Sequence, residues 1–146
     1  MKYIIIVLIA YLLGSFCASI PLSKRVYGAD VRKKGSGNAG ATNMARVYGM
    51  KAGLATFALD AVKAVAAMLI GSYLGGTVGE ALAGAACIFG HCFPVYFSFS
   101  GGKGVSVGAA LGLMTGLWEF AIIMAVFFAV SLSTRKVSLG SMCAAV

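Results

Sequence analysis

Charge is scarce in this chain. Only 11% of its 146 residues are Asp, Glu, Lys or Arg, against about 25% in an ordinary soluble domain. Hydrophobic residues make up 60%, with a mean hydropathy of +0.94. That balance argues against a water-soluble fold and for an integral membrane protein of one domain. Acids are the scarcest of all, 4 against 12 Lys+Arg. Scattered along the chain, they cannot form the carboxylate cluster that magnesium chemistry needs, so no metal and no cofactor is expected. Cys17, Cys87, Cys92 and Cys143 sit in apolar segments without paired metal spacing. They read as small buried residues and supply neither a zinc site nor a disulfide framework. No aromatic residues interleave with the basic ones in a soluble module, which argues against a nucleic-acid partner. There are two prolines and a single histidine, so Pro21, Pro94 and His91 carry more information than usual.

What is present is a succession of long apolar runs. Tyr3 to Leu22 is a 20-residue stretch without a charge. It is long enough to cross a bilayer as a helix and too long for the core of a signal peptide, with Pro21 expected at the helix end. Lys24 to Lys51 is the one long polar segment, punctuated by Gly35, Gly37 and Gly40, with a short interfacial helix expected over Asn43–Val47. A second crossing is expected over Ala52–Leu74, a turn at Gly75-Gly76-Thr77, and a third crossing over Ala81–Phe99. Pro94 has no N–H for the carbonyl of Gly90, so the third helix should kink or break beside His91. Val105 to Ser133, at 29 residues, exceeds one crossing. It is either one long helix or two short ones folded at Gly112 and Gly116. Val137 to Val146 begins a further apolar segment that is too short to cross, which suggests a chain truncated at its C-terminus. The fold class expected is an all-α polytopic bundle of four transmembrane segments plus the start of another, spanning residues 1–146 as one membrane domain.

The basic residues set the topology. Seven fall between Lys24 and Lys51, Lys103 lies in the third loop, and none lies between Lys63 and Lys103. The positive-inside rule then places the first and third loops in the cytoplasm and the N-terminus outside. Arg135 and Lys136 reach the cytoplasm only if the fourth segment folds back, and charge favours that option.

The stretch most suited to chemistry is Gly101-Gly102-Lys103-Gly104. Glycines around one lysine expose a run of backbone N–H groups with a cation in its midst, a cradle for phosphate, and a helix from Val105 would point its amides back at it. It is not a Walker A loop, because Phe97 stands where the first glycine belongs and Gly104 where Ser or Thr belongs. The first loop, Gly35-Ser36-Gly37-Asn38-Ala39-Gly40-Ala41-Thr42-Asn43 followed by Arg46, offers hydroxyl, amide and guanidinium donors to an anion. The plain alternative is a flexible surface loop with lipid-binding cations. Asp60 and Lys63 lie three residues apart on one helical face. They form either a buried structural ion pair or a substrate-neutralising lysine held by its acid. His91 is either a satisfied interior histidine or a catalytic one. Glu119 has no evident partner, and Phe93, Tyr96, Phe97 and Phe99 read as an interfacial belt.

Three blocks together resemble the bacterial acyl-phosphate:glycerol-3-phosphate acyltransferase family (PlsY type). They are GSGNAGATNMAR at Gly35–Arg46, DAVKA at Asp60–Ala64 and GHCFPVYFSFSGGKGV at Gly90–Val105, joined by VSLGS at Val137–Ser141. The chain departs from the family in Ala64, where glycine is usual, and in lacking further C-terminal helices. The resemblance implies about seven transmembrane helices in the bacterial inner membrane, with the motifs gathered at the cytoplasmic face. It implies transfer of a fatty acyl group from acyl phosphate to the 1-hydroxyl of glycerol 3-phosphate, giving lysophosphatidic acid and phosphate. Membrane lipid and an acyl-phosphate-producing enzyme are the implied neighbours. His91, Lys103 and Arg46 are the expected catalytic residues. Ser36, Gly37, Asn38, Thr42, Asn43, Lys63, Gly101, Gly102, Gly104 and Ser141 are expected to bind substrate, with Asp60 in support. Lys103 and the glycine amides would hold the acyl phosphate, and the first loop the glycerol phosphate. His91 would act as general base or hydrogen-bond a phosphate.

Two other classes compete. A transporter or channel would use Asp60, Lys63 and Glu119 at membrane depth and the helix break at Pro94, but no internal repeat is detectable. A scaffold binding anionic lipid through the first loop would not need Lys103.

Overall fold

A computed structural model describes residues 1–134, 139, 140 and 143. The expectations that rest on Arg135, Lys136 and Ser141, and on the segment from Val137 onward as a unit, lie outside those residues. The described chain is all helix and loop. Helix α1 spans Lys2–Ser15, α2 Ser19–Tyr27, α3 Ala41–Tyr48, α4 Met50–Cys92, α5 Val105–Thr115 and α6 Leu117–Thr134, with short 3-10 turns at Val31–Lys33 and Val95–Phe97. Among the described residues three stretches are long and apolar enough to cross a membrane, Lys2–Tyr27, Met50–Phe97 and Leu117–Thr134.

Helix α4 is a hairpin. Gly76 has φ +63° and ψ −154° in its middle, a conformation that a residue with a Cβ rarely adopts. In a straight helix Lys63 and His91 would lie about 42 Å apart; here their side chains meet at 2.9 Å. Arms 50–75 and 77–92 therefore run antiparallel, as the Gly75-Gly76-Thr77 turn predicts. The C-terminal pair folds back in the same way. Phe120 and Ile123 stand beside Gly112, whereas a continuous helix would separate residues 112 and 120 by about 12 Å. The break falls at Gly116, so the two-helix reading of Val105–Ser133 holds. At 11 residues, α5 is about 16 Å long and too short to cross alone.

The first apolar run departs from expectation. Helix α1 stops at Ser15, residues 16–18 unwind, and Pro21 lies in the first turn of α2. A first-turn proline costs nothing, because its missing N–H would have had no partner there. The short helix expected at Asn43–Val47 is α3, slightly longer at each end.

Small residues let the helices approach closely, as packing in lipid requires. A Cβ on Gly14 would strike the carbonyl of Cys87, and one on Gly90 would strike that of Tyr11. Ile6, Ala10, Ala64, Ala67, Ala83, Cys87, Val107 and Ala110 form the core where α1, both arms of α4 and α5 meet. Helix α6 contributes no buried residue.

Candidate active site

The chemistry-bearing residues gather at one end of the hairpin. On arm 50–75, Asp60 and Lys63 turn inward, and their charges meet at 2.8 Å with the acid wholly buried. The ammonium of Lys63 also donates to the carbonyls of Gly14 (3.0 Å) and Phe16 (2.7 Å). Those carbonyls are the ones α1 leaves open where it unwinds. A break at membrane depth is tolerable only when such groups find partners inside the protein. Lys63 is that partner, capping α1 from another helix.

The third neighbour of Lys63 is His91 Nδ1, 2.9 Å away. An ammonium can only donate, so Nδ1 accepts and the ring hydrogen of a neutral His91 sits on Nε2. The count of hydrogens agrees. Three N–H bonds go to Gly14, Phe16 and His91, and neither Asp60 oxygen accepts a hydrogen bond from a described residue. Asp60 therefore acts on Lys63 through charge.

Helix α4 ends at Cys92, and Pro94 follows in extended conformation. The freed carbonyl of His91 accepts from Gly102 N at 3.0 Å. This bond folds the glycine loop back over the imidazole. A Cβ on Gly102 would fall on His91 Nε2. Glycine at 102 is thus a packing requirement that brings a backbone amide and the imidazole N–H to one spot. Gly104, in the left-handed region at φ +74°, then starts α5.

The first loop is bound to the glycine loop and to itself. Ala39 N donates to Gly101 O (3.3 Å), and Ser19 Oγ of α2 donates to Ala39 O (2.7 Å). Buried Asn43 is the hub. Its Oδ1 accepts from Ser36 N, and its Nδ2 lies within reach of the carbonyls of Val31, Lys34 and Asn38. Arg32 links the same two loops at the surface. Its guanidinium grips Asp30 (2.8 Å) and donates to the carbonyls of Phe97 (2.8 Å) and Ser100 (3.2 Å). Hydrogen bonding from Arg32 holds the Asp30 carboxyl down at about 2.

The profile of the glycerol-3-phosphate acyltransferase family matches residues 4–146. The chain belongs to the glycerol-3-phosphate acyltransferase family. It is 41% identical to the enzyme of that name from Finegoldia magna (strain ATCC 29328 / DSM 20472 / WAL 2508), over 94% of this chain and 70% of the relative. It is 43% identical to that of Syntrophotalea carbinolica (strain DSM 2380 / NBRC 103641 / GraBd1), over 99% and 74%. The crystal structure of PlsY (YgiH), an integral membrane glycerol 3-phosphate acyltransferase, in its glycerol 3-phosphate form superposes with a TM-score of 0.87. Identity is 35%, covering 99% of this chain and 72% of that one. The lysophosphatidic acid form superposes at 0.84 with 33% identity. The chain is therefore an integral membrane acyltransferase, and the transporter and scaffold readings give way to an enzyme.

Within this acyltransferase the expected site residues fall into three groups. Asp60, Lys63, His91 and Gly102 form the buried centre. Ser36, Asn38 and Asn43 are knitted together in the first loop, with Gly37 exposed beside them. Thr42, Arg46 and Lys103 are exposed on α3 and the glycine loop. Gly101 joins the two loops through its carbonyl. Of the residues expected on substrate, Lys63 donates to Gly14, Phe16 and His91, and the amide of Asn43 bonds within the first loop. Three features escaped the sequence reading: the grip of Lys63 on α1, its bond to His91, and the Arg32 bridge. Only the last had a visible signal, an acid two residues before an arginine just ahead of the glycine-rich loop.

Proposed function

We propose that the enzyme transfers a fatty acyl group from acyl phosphate to the 1-hydroxyl of glycerol 3-phosphate at the cytoplasmic face of a bacterial inner membrane, with the N-terminus outside. The observation that supports this best is the convergence of two glycine-rich loops over His91, one bearing Lys103 and the other running into Arg46. Both substrates are phosphorylated, so the task is to seat two anions side by side, and amides and cations are what that requires. In this reading the amides of Gly101, Lys103 and Gly104, with the Lys103 side chain, hold the acyl phosphate. Ser36, Gly37, Asn38, Thr42 and Arg46 receive the glycerol phosphate, while Asn43 keeps that loop in shape.

The hydroxyl oxygen attacks the acyl carbon, the bond from that carbon to the bridging phosphate oxygen breaks, and phosphate leaves. Acyl phosphate is a mixed anhydride with a good leaving group, so no covalent nucleophile from the protein is needed. His91 serves as a donor. With Nδ1 engaged by Lys63, its Nε2–H is offered to a substrate phosphate, and a phosphate oxygen takes the hydroxyl proton. Lys63 fixes the tautomer and Asp60 holds Lys63.

Purified protein mixed with acyl phosphate and glycerol 3-phosphate is expected to form lysophosphatidic acid and phosphate without coenzyme A or acyl carrier protein, and chelator should not matter. No product under those conditions overturns the reading. His91→Gln, which keeps an N–H donor, is expected to leave the shape of the pH–rate profile unchanged. Loss of its acid limb, with a fall of about 10²–10⁴ in rate, would make His91 the base instead.

A further inference from the structure

We propose that Arg32 is a positioning residue for acyl transfer, clamping the bend at 97–100 so that the glycine loop meets the first loop in register. The proposal rests on the reading that the 101–104 loop holds a phosphate. Arg32 is not among the residues assigned to substrate above.

All three nitrogens of its fork are engaged. Nε and Nη2 face the Asp30 carboxylate at 2.8–3.3 Å, and Nη1 reaches the carbonyls of Phe97 and Ser100. The guanidinium carbon lies 6.0 Å from the centre of the Phe97 ring, within cation–π range. Lys24 adds a second cation to Asp30 at 3.4 Å. Asp30 is anchored in turn, since Arg32 N donates to its Oδ1 and starts the Val31–Lys33 turn.

What Arg32 holds is a bend closed by two backbone bonds, Phe99 N to Pro94 O (2.9 Å) and Ser100 N to Phe97 O (3.2 Å), and strained all the same. Ser98 and Phe99 both have φ +56°, a left-handed conformation that non-glycine residues adopt at a cost. Phe99 is 60% exposed, so burial of its ring does not compensate. Two bonds to carbonyls on either side of this pair, Phe97 and Ser100, do. Gly101 comes next, with its carbonyl on Ala39 N, and then Gly102 on the His91 carbonyl. Relaxing the bend therefore moves both contacts that align the loops. A lysine keeps the charge but lacks the planar fork that faces Asp30 with Nε and Nη2 while Nη1 reaches Phe97 and Ser100 on the other side.

The test is Arg32→Lys in lipid nanodiscs, read by steady-state kinetics with both substrates and by amide hydrogen exchange. The expected result is a rise of about tenfold in KM for acyl phosphate, with kcat changed less than about threefold, the scale of a misplaced binding group. Exchange should quicken at Ala39 and at residues 99–102 and stay unchanged in α1 and α4. Phe97→Leu, which keeps the backbone bonds, should show the same pattern more weakly. A rise in KM for glycerol 3-phosphate in place of acyl phosphate keeps the clamp and overturns only the substrate assignment above. Unchanged KM for both substrates, or faster exchange throughout the bundle in proportion to lost activity, overturns the clamp.

Discussion

The buried centre and the surface clamp are the same device in two settings. In each, an acid is followed within three residues by a cation, and the cation donates to two backbone carbonyls of a distant segment. Lys63, beside Asp60, takes the carbonyls of Gly14 and Phe16. Arg32, beside Asp30, takes those of Phe97 and Ser100. The first works with both charges inside the helices, with Asp60 at 0% and Lys63 at 8% side-chain exposure; in the second Asp30 is 8% and Arg32 22% exposed. The difference teaches where each device matters. A buried pair holds the fold, because either partner alone is an uncompensated charge in a dry interior. A pair with its cation open to solvent on one side contributes less and can still place a loop.

The largest effect should come from Lys63→Met. It strands Asp60 and opens the carbonyls of α1, and it is expected to cost about 3–5 kcal/mol by thermal or denaturant unfolding in detergent. Asp60→Leu combined with Lys63→Met should recover most of that stability and little activity, because His91 then has no partner on Nδ1. If the double variant is as active as wild type, the link from Lys63 to His91 has no catalytic role. Next is Gly102→Ala, whose methyl group falls on His91 Nε2. A drop of at least about 10²-fold in kcat/KM with normal unfolding is expected, the scale of losing one placed donor. Smaller is Tyr48→Leu, at roughly 1 kcal/mol. It removes the ring stacked on Tyr27 at 4.1 Å, which pins α3 to the end of α2.

Asp30→Asn sharpens the contrast through pH. A carboxyl depressed from 3.8 to about 2 contributes stability that is fully present above pH 3.8 and lost as pH falls towards 2. Between pH 5 and 9 its charge is constant, so the variant should lower activity by one factor across that range. A changed slope in the pH–rate profile there would show that Asp30 titrates in the working range.

Much of the framework was legible because it is written in local chemistry. Gly76 marks a reversal in a conformation that favours glycine, Gly116 marks the break between α5 and α6, Pro94 ends a helix, and scarce charge announces the membrane. The convergence of Gly35–Arg46 with Gly101–Gly104 followed from which loops carry the cations. The break after Ser15 was hidden because the apolar run continues through it without a polar residue stronger than serine. Its stabilising partner, Lys63, lies nearly fifty residues away. The direct bond between Lys63 and His91 depends on how tightly glycines let α1 and the two arms of α4 pack, and hydropathy does not encode that. The hub role of Asn43 was hidden because a loop amide can serve a ligand or the loop itself, and its four partners are spread over residues 31–38.

The claim that the two loops divide the two phosphates between them is tested most directly by measuring KM for both substrates in Lys103→Ala and Arg46→Ala. The expected result is that the first raises KM for acyl phosphate alone and the second raises KM for glycerol 3-phosphate alone. Both variants weakening the same substrate, or neither changing any KM, would contradict it.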